Sequence, residues 1–477
     1  MLTNPPESGN PHAGSFRSAH LWLAAASGAL GGLLFGYDWV VIGGAKPFYE
    51  LYFHLDSPRL EGWAMSCALI GCLVGSITAG GLSNRFGRKR LLTLAALVFT
   101  LSSIGTGMAM QFDSFVVWRI LGGFAIGLAS GISPMYIAEI SPAHLRGRLV
   151  SLNQMAIVVG ILLAQIINWL IAQPVLPGAT PRDILVSWNG QSGWRWMFAV
   201  TAIPSLLFLI ATFLVPESPR WLASKGRSNQ ALRVLERLGG QAYARQVMED
   251  FRAASGDEPR VSFLRELSSP GLVTALLLGV TLAVLQQWCG INVIFNYAQE
   301  IFAAAGYQIS GILFNIVITG AVNVIFTMVA FATIDRFGRR ALLLTGISGL
   351  VIIYVILGML YRLHLQGMPM LLLVLAAIAC YAVSLAPVTW VVIAEIFPNR
   401  IRGGAMSIAV TALWVACFVL TYTFPSLNAA LGTAGVFWTY AGICLAGLLF
   451  LYLRLPETRG KSLEEIETNM RAGNLSE

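Results

Sequence analysis

One block of charged turns occurs twice in this chain, in the same order and about 250 residues apart. Asn84-Arg85-Phe86-Gly87-Arg88-Lys89-Arg90 returns as Asp335-Arg336-Phe337-Gly338-Arg339-Arg340. Ala138-Glu139-Ile140-Ser141-Pro142, followed by Leu145-Arg146-Gly147-Arg148, returns as Ala394-Glu395-Ile396-Phe397-Pro398, followed by Ile401-Arg402-Gly403-Gly404. Pro216-Glu217-Ser218-Pro219-Arg220 returns as Pro456-Glu457-Thr458-Arg459-Gly460. Charged turns repeated between apolar stretches describe one membrane unit in two copies, facing each other across a pathway.

Composition agrees. Only 11% of the 477 residues are charged and 56% are hydrophobic, whereas a soluble domain carries about 25% charged residues. The chain reads as a polytopic membrane protein whose surroundings are lipid. The net charge of +8 raises nucleic acid as a partner. The Arg and Lys residues, however, sit in short loops between apolar runs, as the positive-inside bias places them, so no nucleic acid is expected. Cys67, Cys72, Cys289, Cys380, Cys417 and Cys444 all lie in apolar runs without C-x-x-C spacing. They read as small hydrophobes, and neither a disulfide framework nor a metal site follows. Residues 1–18 are polar and rich in Pro and Gly, which suits a short cytoplasmic tail better than a signal peptide.

A span needs about 20 mostly apolar residues, and the chain offers twelve. Spans 1–6 are 19–45, 60–82, 91–111, 115–139, 149–172 and 193–215; spans 7–12 are 270–304, 310–334, 341–364, 368–396, 401–427 and 433–455. The long spans 1 and 7, interrupted by glycine, are expected to bend. Basic clusters at 85–90, 146–148, 336–340, 400–402 and 454–461 fall at alternate loops and put both termini in the cytoplasm. The segment 217–266 is charged, with Ala231, Leu232, Leu235 and Leu238 at helical spacing, and reads as short amphipathic helices. Of the loops on the other side, 173–192 is the longest irregular one, and its Pro and Gly argue against a span. The expected fold is an all-α membrane protein of twelve transmembrane helices in two pseudo-symmetric six-helix bundles. Its parts are a tail (1–18), a first bundle (19–215), a cytoplasmic helical linker (216–269), a second bundle (270–455) and a second tail (456–477).

The bilayer penalises ionisable residues by about 2.5–3.5 kcal/mol near its centre, so one inside a span should face a cavity or a partner. Asp38 lies deep in span 1 and Arg119 near the start of span 4. They are read as a proton-carrying carboxylate and its charge partner; a permanent structural salt bridge is the competing reading. In span 5, Gln154, Ile161 and Gln165 lie within roughly 20–40° of one another at 100° per residue. That stripe either lines a pathway or, with Asn168, bonds across helices. Gln286, Gln287 and Asn292 cannot share one face of a straight helix, but Gly290 permits a break that would turn all three inward. Their donors and acceptors suit a neutral polyol. Trp390 and Trp414 could stack on a sugar's C–H face, or pack against lipid and core. Phe35, in the turn before Asp38, joins this candidate lining.

The loop charges Arg85, Arg88, Glu139, Arg146, Glu217, Arg336, Arg339, Glu395, Arg402 and Glu457 are candidates for a cytoplasmic gate, tied together only when that side is closed. Static topology control by positive charge is the alternative. Arg459-Gly460-Lys461-Ser462 resembles the end of a phosphate loop, but Leu455 stands where such a loop needs Gly. No cofactor, metal or enzymatic chemistry is expected.

Taken together, Asn84–Lys89, Pro216-Glu217-Ser218-Pro219-Arg220-Trp221-Leu222, Gln286-Gln287 with Gly290-Ile291-Asn292, Asp335–Arg340 and Pro456–Gly460 resemble the sugar porter family of the major facilitator superfamily, over nearly the whole chain. Among its members the bacterial proton-coupled xylose symporters are the nearest in pattern, notably around Ser133–Glu139. The resemblance implies the major facilitator fold, alternating access, and a central monosaccharide site of Gln154, Gln286, Gln287, Asn292, Asn323 and Trp390. It also implies symport of a proton with a pentose or hexose, since Asp38 stands where proton-coupled members have Asp and animal glucose facilitators have Asn. A passive facilitator or a sugar sensor are the alternatives, and a monomer in a bacterial inner membrane is expected.

Some positions depart from that pattern. Leu413 and Cys417 stand where the xylose symporters have Gln and Asn; Ile161 stands where they have Gln, although animal glucose facilitators also use Ile there. Asn296 replaces the first of two aromatics, leaving Tyr297, and Thr201 replaces an acidic residue in span 6. The site is therefore expected to be less polar on one side. Leu413→Gln should change the order in which unlabelled sugars compete for uptake; an unchanged order would contradict that inference about the wall.

Overall fold

The computed structural model describes residues 18–142, 144–176, 178–254, 270–397 and 402–457. The rest of the two tails, the second part of the linker, and the loop charges in 398–401 and 458–461 lie outside the described residues, as do the side chains of Asp335 and Arg402. Every regular element among the described residues is helical.

The spans follow the apolar runs. Spans 1–5 are Ser18–Phe53, Pro58–Phe86, Arg88–Met108, Phe112–Ile140 and Arg146–Ile171, and span 6 occupies Asn189–Leu214. Span 7 is built of Pro270–Trp288, Ile291–Asn296 and Ala298–Ala304, and spans 8 and 9 are Ile309–Phe337 and Arg339–Arg362. Span 10 is Met368–Val383 plus Leu385–Ile396. Spans 11 and 12 share the run Arg402–Arg454 and separate at Gly432, whose φ of 67° no helix contains. Twelve spans result, as the apolar runs predict.

Two local expectations need correction. Span 1 is one continuous helix of 36 residues with Pro47 inside it. Its glycines allow close packing: a side chain at Gly36 would strike the Ile157 backbone and one at Gly44 would strike Asn168. Span 10, read as continuous, is interrupted at Ser384 (φ −116°, ψ −90°); Pro387, just beyond, cannot donate the backbone bond that would bridge the gap. The 173–192 segment is not wholly irregular but carries the helix Pro181–Val186. Thr180 caps it: the Asp183 amide donates to the Thr180 hydroxyl at 3.3 Å, while that hydroxyl donates to the Asp183 carboxylate at 2.7 Å. The Thr180 hydroxyl and its backbone N–H both donate to the Asp183 carboxylate, at 2.7 and 2.9 Å, and hold it below its usual range. Span 7, by contrast, breaks where expected, at Gly290 (φ 84°).

In the first half span 1 packs on span 5, span 2 on span 4, and span 3 on spans 4 and 6. The second half repeats the scheme: Trp288 of span 7 donates to the Ala416 carbonyl of span 11 at 2.9 Å, and Trp438 of span 12 to the Val355 carbonyl of span 9 at 3.3 Å. The halves meet along spans 2 and 11 and along spans 5 and 8. The linker helices Pro219–Ser224 and Ser228–Ala254 enclose a small apolar cluster of their own, around Trp221, Leu235, Ala244 and Met248.

Apolar helices in lipid gain little from burying side chains, so close backbone contact must hold them together. Spans 2 and 4 achieve it with two facing small-residue pairs, Gly71 with Gly75 and Gly123 with Gly127. A side chain at Gly123 would meet the Ala68 carbonyl, and one at Gly75 the Phe124 carbonyl. Gly123→Val should therefore destabilise the fold by about 1–3 kcal/mol, read as a lower melting temperature in detergent. Gly80→Ala, where nothing lies within 4 Å, should leave it unchanged; equal melting of both variants would contradict this packing.

Candidate functional site

Span 1 carries Asp38 into the first half, where a carboxylate can persist only with a partner. Arg119 of span 4 supplies it, its Nη1 donating to Asp38 Oδ1 at 2.6 Å with both side chains buried. The guanidinium also lies 5.4 Å from the centre of the Phe198 ring. Thr201 is buried at the joint between the two helical pieces of span 6. A buried pair of this kind is costly to split, because removing one partner leaves the other charge without compensation.

The second half contributes a chain of amides. The break at Gly290 brings Asn292 back onto the preceding turn, so that its amide donates to Gln287 Oε1. Gln287 donates in turn to Gln286 Oε1 at 3.4 Å. Gln286 spends its own donors on the break in span 10, bonding the Leu385 and Ala386 carbonyls at 3.1 and 3.2 Å. Two interrupted helices are thereby stitched together by one side chain. Gln286, Gln287, Asn292 and Asn323 are all buried, while Gln154 and Trp390 are half-buried.

Aromatic rings join the two sides. Phe35 lies 5.8 Å from Trp414, and Trp39 6.2 Å from it, with Phe35 and Trp39 themselves edge to face at 5.8 Å. Sequence reasoning selected Phe35 and Trp414 but missed Trp39, whose spacing of four residues from Phe35 on one helix face was the available signal. In span 5 Asn168 donates to the Val41 carbonyl at 3.0 Å, and Gln165 reaches the Thr319 hydroxyl of span 8 at 3.5 Å. Leu413, Cys417 and Ile161 are buried, and apolar surface stands at those positions.

The repeated turns form two matching knots. In the first half Arg88 donates to Glu139 at 2.9 Å, Ser218 donates to the same carboxylate at 2.5 Å, and Glu217 accepts from the Arg88 and Lys89 amides at 2.9 and 3.1 Å. In the second half Arg339 donates to Glu395 at 3.1 Å, while Glu457 accepts from the Arg339 and Arg340 amides at 3.0 and 3.1 Å. Glu217 and Glu457 each neutralise the free N–H groups that begin a span, and the helix dipole favours a carboxylate there. Arg146 donates to the Ala138 carbonyl at 3.2 Å. Arg85 and Arg336 lie over the neighbouring Phe86 and Phe337 rings, at 5.1 and 5.8 Å. All these bonds among the described residues lie within one half.

At the opposite end of the bundle, sequence reasoning missed a second charge cluster. Lys46 is 3% exposed and pairs with Glu50 at 2.8 Å, Glu61 at 3.7 Å and Glu300. The apolar run of span 1 stops at Ala45, which left Lys46 to a loop; the helix continues to Phe53.

Comparison with known proteins completes the picture. The model of the family described as "Sugar (and other) transporter" matches residues 24–470. The D-xylose-proton symporter of Escherichia coli (strain K12) is 38% identical over 95% of this chain and 96% of its own length. The arabinose-proton symporter of Bacillus subtilis (strain 168) is also 38% identical, over 93% of this chain and 94% of its own. The E. coli xylose transporter in its inward open conformation superposes with a TM-score of 0.82 at 36% identity, covering 94% of this chain and 99% of that one. The same symporter bound to 6-bromo-6-deoxy-D-glucose gives 0.75 at 36% identity, covering 95% and 99%.

Replacing Gln286 by Leu leaves the Leu385 and Ala386 carbonyls without their donor, which should cost about 1–3 kcal/mol. A melting temperature equal to wild type in detergent would show that the break in span 10 does not depend on this side chain.

Proposed function

The chain belongs to the sugar transporter family, and on that premise we propose that it is a proton:monosaccharide symporter working by alternating access. The observation that carries this reading is the buried Asp38–Arg119 pair in one half, together with a buried chain of amides in the other. Relatives named as xylose- and arabinose-proton symporters support it, and they are transporters, not enzymes. The protein is an integral, multi-pass membrane protein; a bacterial inner membrane, cytoplasmic termini and a monomeric state belong to the same reading, as does the division into bundles 19–215 and 270–455 around the linker.

In this reading a pentose or hexose lies between Gln154 on one side and Gln286, Gln287, Asn292 and Asn323 on the other. Trp390, Trp414 and Phe35 cover its C–H faces. Hydroxyl groups would exchange with the bonds that the amides now make to one another. The greater likeness to the inward open xylose transporter supports an inward-facing form, with the Lys46 end outermost. Asp38 bonded to Arg119 is then the carboxylate that has given up its proton to the cytoplasm. A proton arriving from outside would release Arg119, and sugar would follow.

The loop charges complete the cycle. With the cytoplasmic side open, Arg88 and Glu139 satisfy one another in one half, and Arg339 and Glu395 in the other. Closure brings Arg85, Arg146, Arg336, Arg402, Glu217 and Glu457 within reach of exchange across the halves.

The energetics close. Each tenfold accumulation of sugar costs about 1.4 kcal/mol, and one proton crossing 100 mV supplies about 2.3 kcal/mol. In liposomes, sugar added outside should draw protons inward and raise the external pH. Asp38→Asn should abolish that signal and uphill accumulation while retaining exchange of labelled sugar. Sugar flux without any pH change in the wild type would favour a passive facilitator in which the pair never parts.

A further inference from the structure

The transport cycle leaves the Lys46 cluster without a task, yet its placement is unusual. Lys46 and Glu50 belong to span 1 and Glu61 to span 2, while Glu300 belongs to the last piece of span 7, in the other half. Lys46 Nζ donates to Glu300 Oε1 and lies 5.6 Å from the centre of the Tyr297 ring, also in the other half. Tyr297 is anchored in its own half, its hydroxyl donating to the Thr421 carbonyl at 2.6 Å and its ring 4.3 Å from Phe424. When the halves part at this end, Glu300 and Tyr297 leave with the second half and Lys46 stays with Glu50 and Glu61. The Lys46–Glu300 bond therefore distinguishes the two forms, and a contact present in only one form shifts the balance towards it.

We propose that Lys46 is the gating residue of the outer end: its bond to Glu300 holds the inward-facing form shut. The inference rests on the transport reading only for which end is outermost. Lys46 keeps Glu50 and Glu61 beside it in either form, since all three belong to the first half, so the bond to Glu300 is the one gained on closure.

The test needs no substrate. Spin labels on opposite halves at the outer end, in protein held in lipid nanodiscs, report the open-to-closed ratio by pulsed dipolar spectroscopy. Lys46→Met should raise that ratio at least about tenfold, while Lys46→Arg should keep it near wild type. Should Lys46→Met not fold, Glu300→Gln gives the same readout at nearly equal side-chain volume. A ratio unmoved by either substitution would overturn the proposal. A chain that failed to carry sugar in liposomes could still show the latch, so the two readings fail separately.

Discussion

A carboxylate and a guanidinium bonded 2.6 Å apart inside a bundle of apolar helices set the terms for the rest of this molecule. Neither charge is tolerable alone at that depth. The first half must therefore keep spans 1 and 4 in register, and the close packing of span 1 on span 5 and of span 2 on span 4 does this. Glycines within these spans act as contact points. Gly36 and Gly123 allow backbones to approach as side chains could not.

The second half is built on the opposite device. Its spans 7 and 10 are interrupted, and the freed polar groups are turned inward and satisfied by one another through Gln286, Gln287 and Asn292. Amides bonded to amides and carbonyls can exchange those bonds for a ligand's hydroxyls at little net cost. The two ends of the bundle are treated differently again. At the Arg-rich end the Arg88–Glu139 and Arg339–Glu395 pairs each lie within one half, and at the Lys46 end the charge cluster bridges both.

Much of this was legible in the residues. Twelve apolar runs marked the spans, and a carboxylate and an arginine inside them could hardly be anything but partners or lining. The off-face placement of Gln286, Gln287 and Asn292 demanded a break, and Gly290 supplied it. What escaped the sequence depended on packing. Nothing in the apolar run 368–396 distinguishes Ser384 from a helical serine until Gln286 is seen to seal the gap. Whether Gln165 and Asn168 face a pathway or a neighbouring helix depends on the approach of Val41 and Thr319, and no periodicity encodes that distance. Lys46 was lost to a span boundary set eight residues too early, and Trp39 was passed over although it lies one helical turn beyond Phe35.

The central claim is that Asp38 changes its ionisation as the molecule alternates. Infrared difference spectra of outward- and inward-trapped protein, each subtracted against the matching Asp38→Asn sample, read that ionisation directly. The account predicts the carbonyl stretch of a protonated acid in the outward-facing form and its absence in the inward-facing form, where Arg119 holds the carboxylate. The same band in both forms, or in neither, would contradict it.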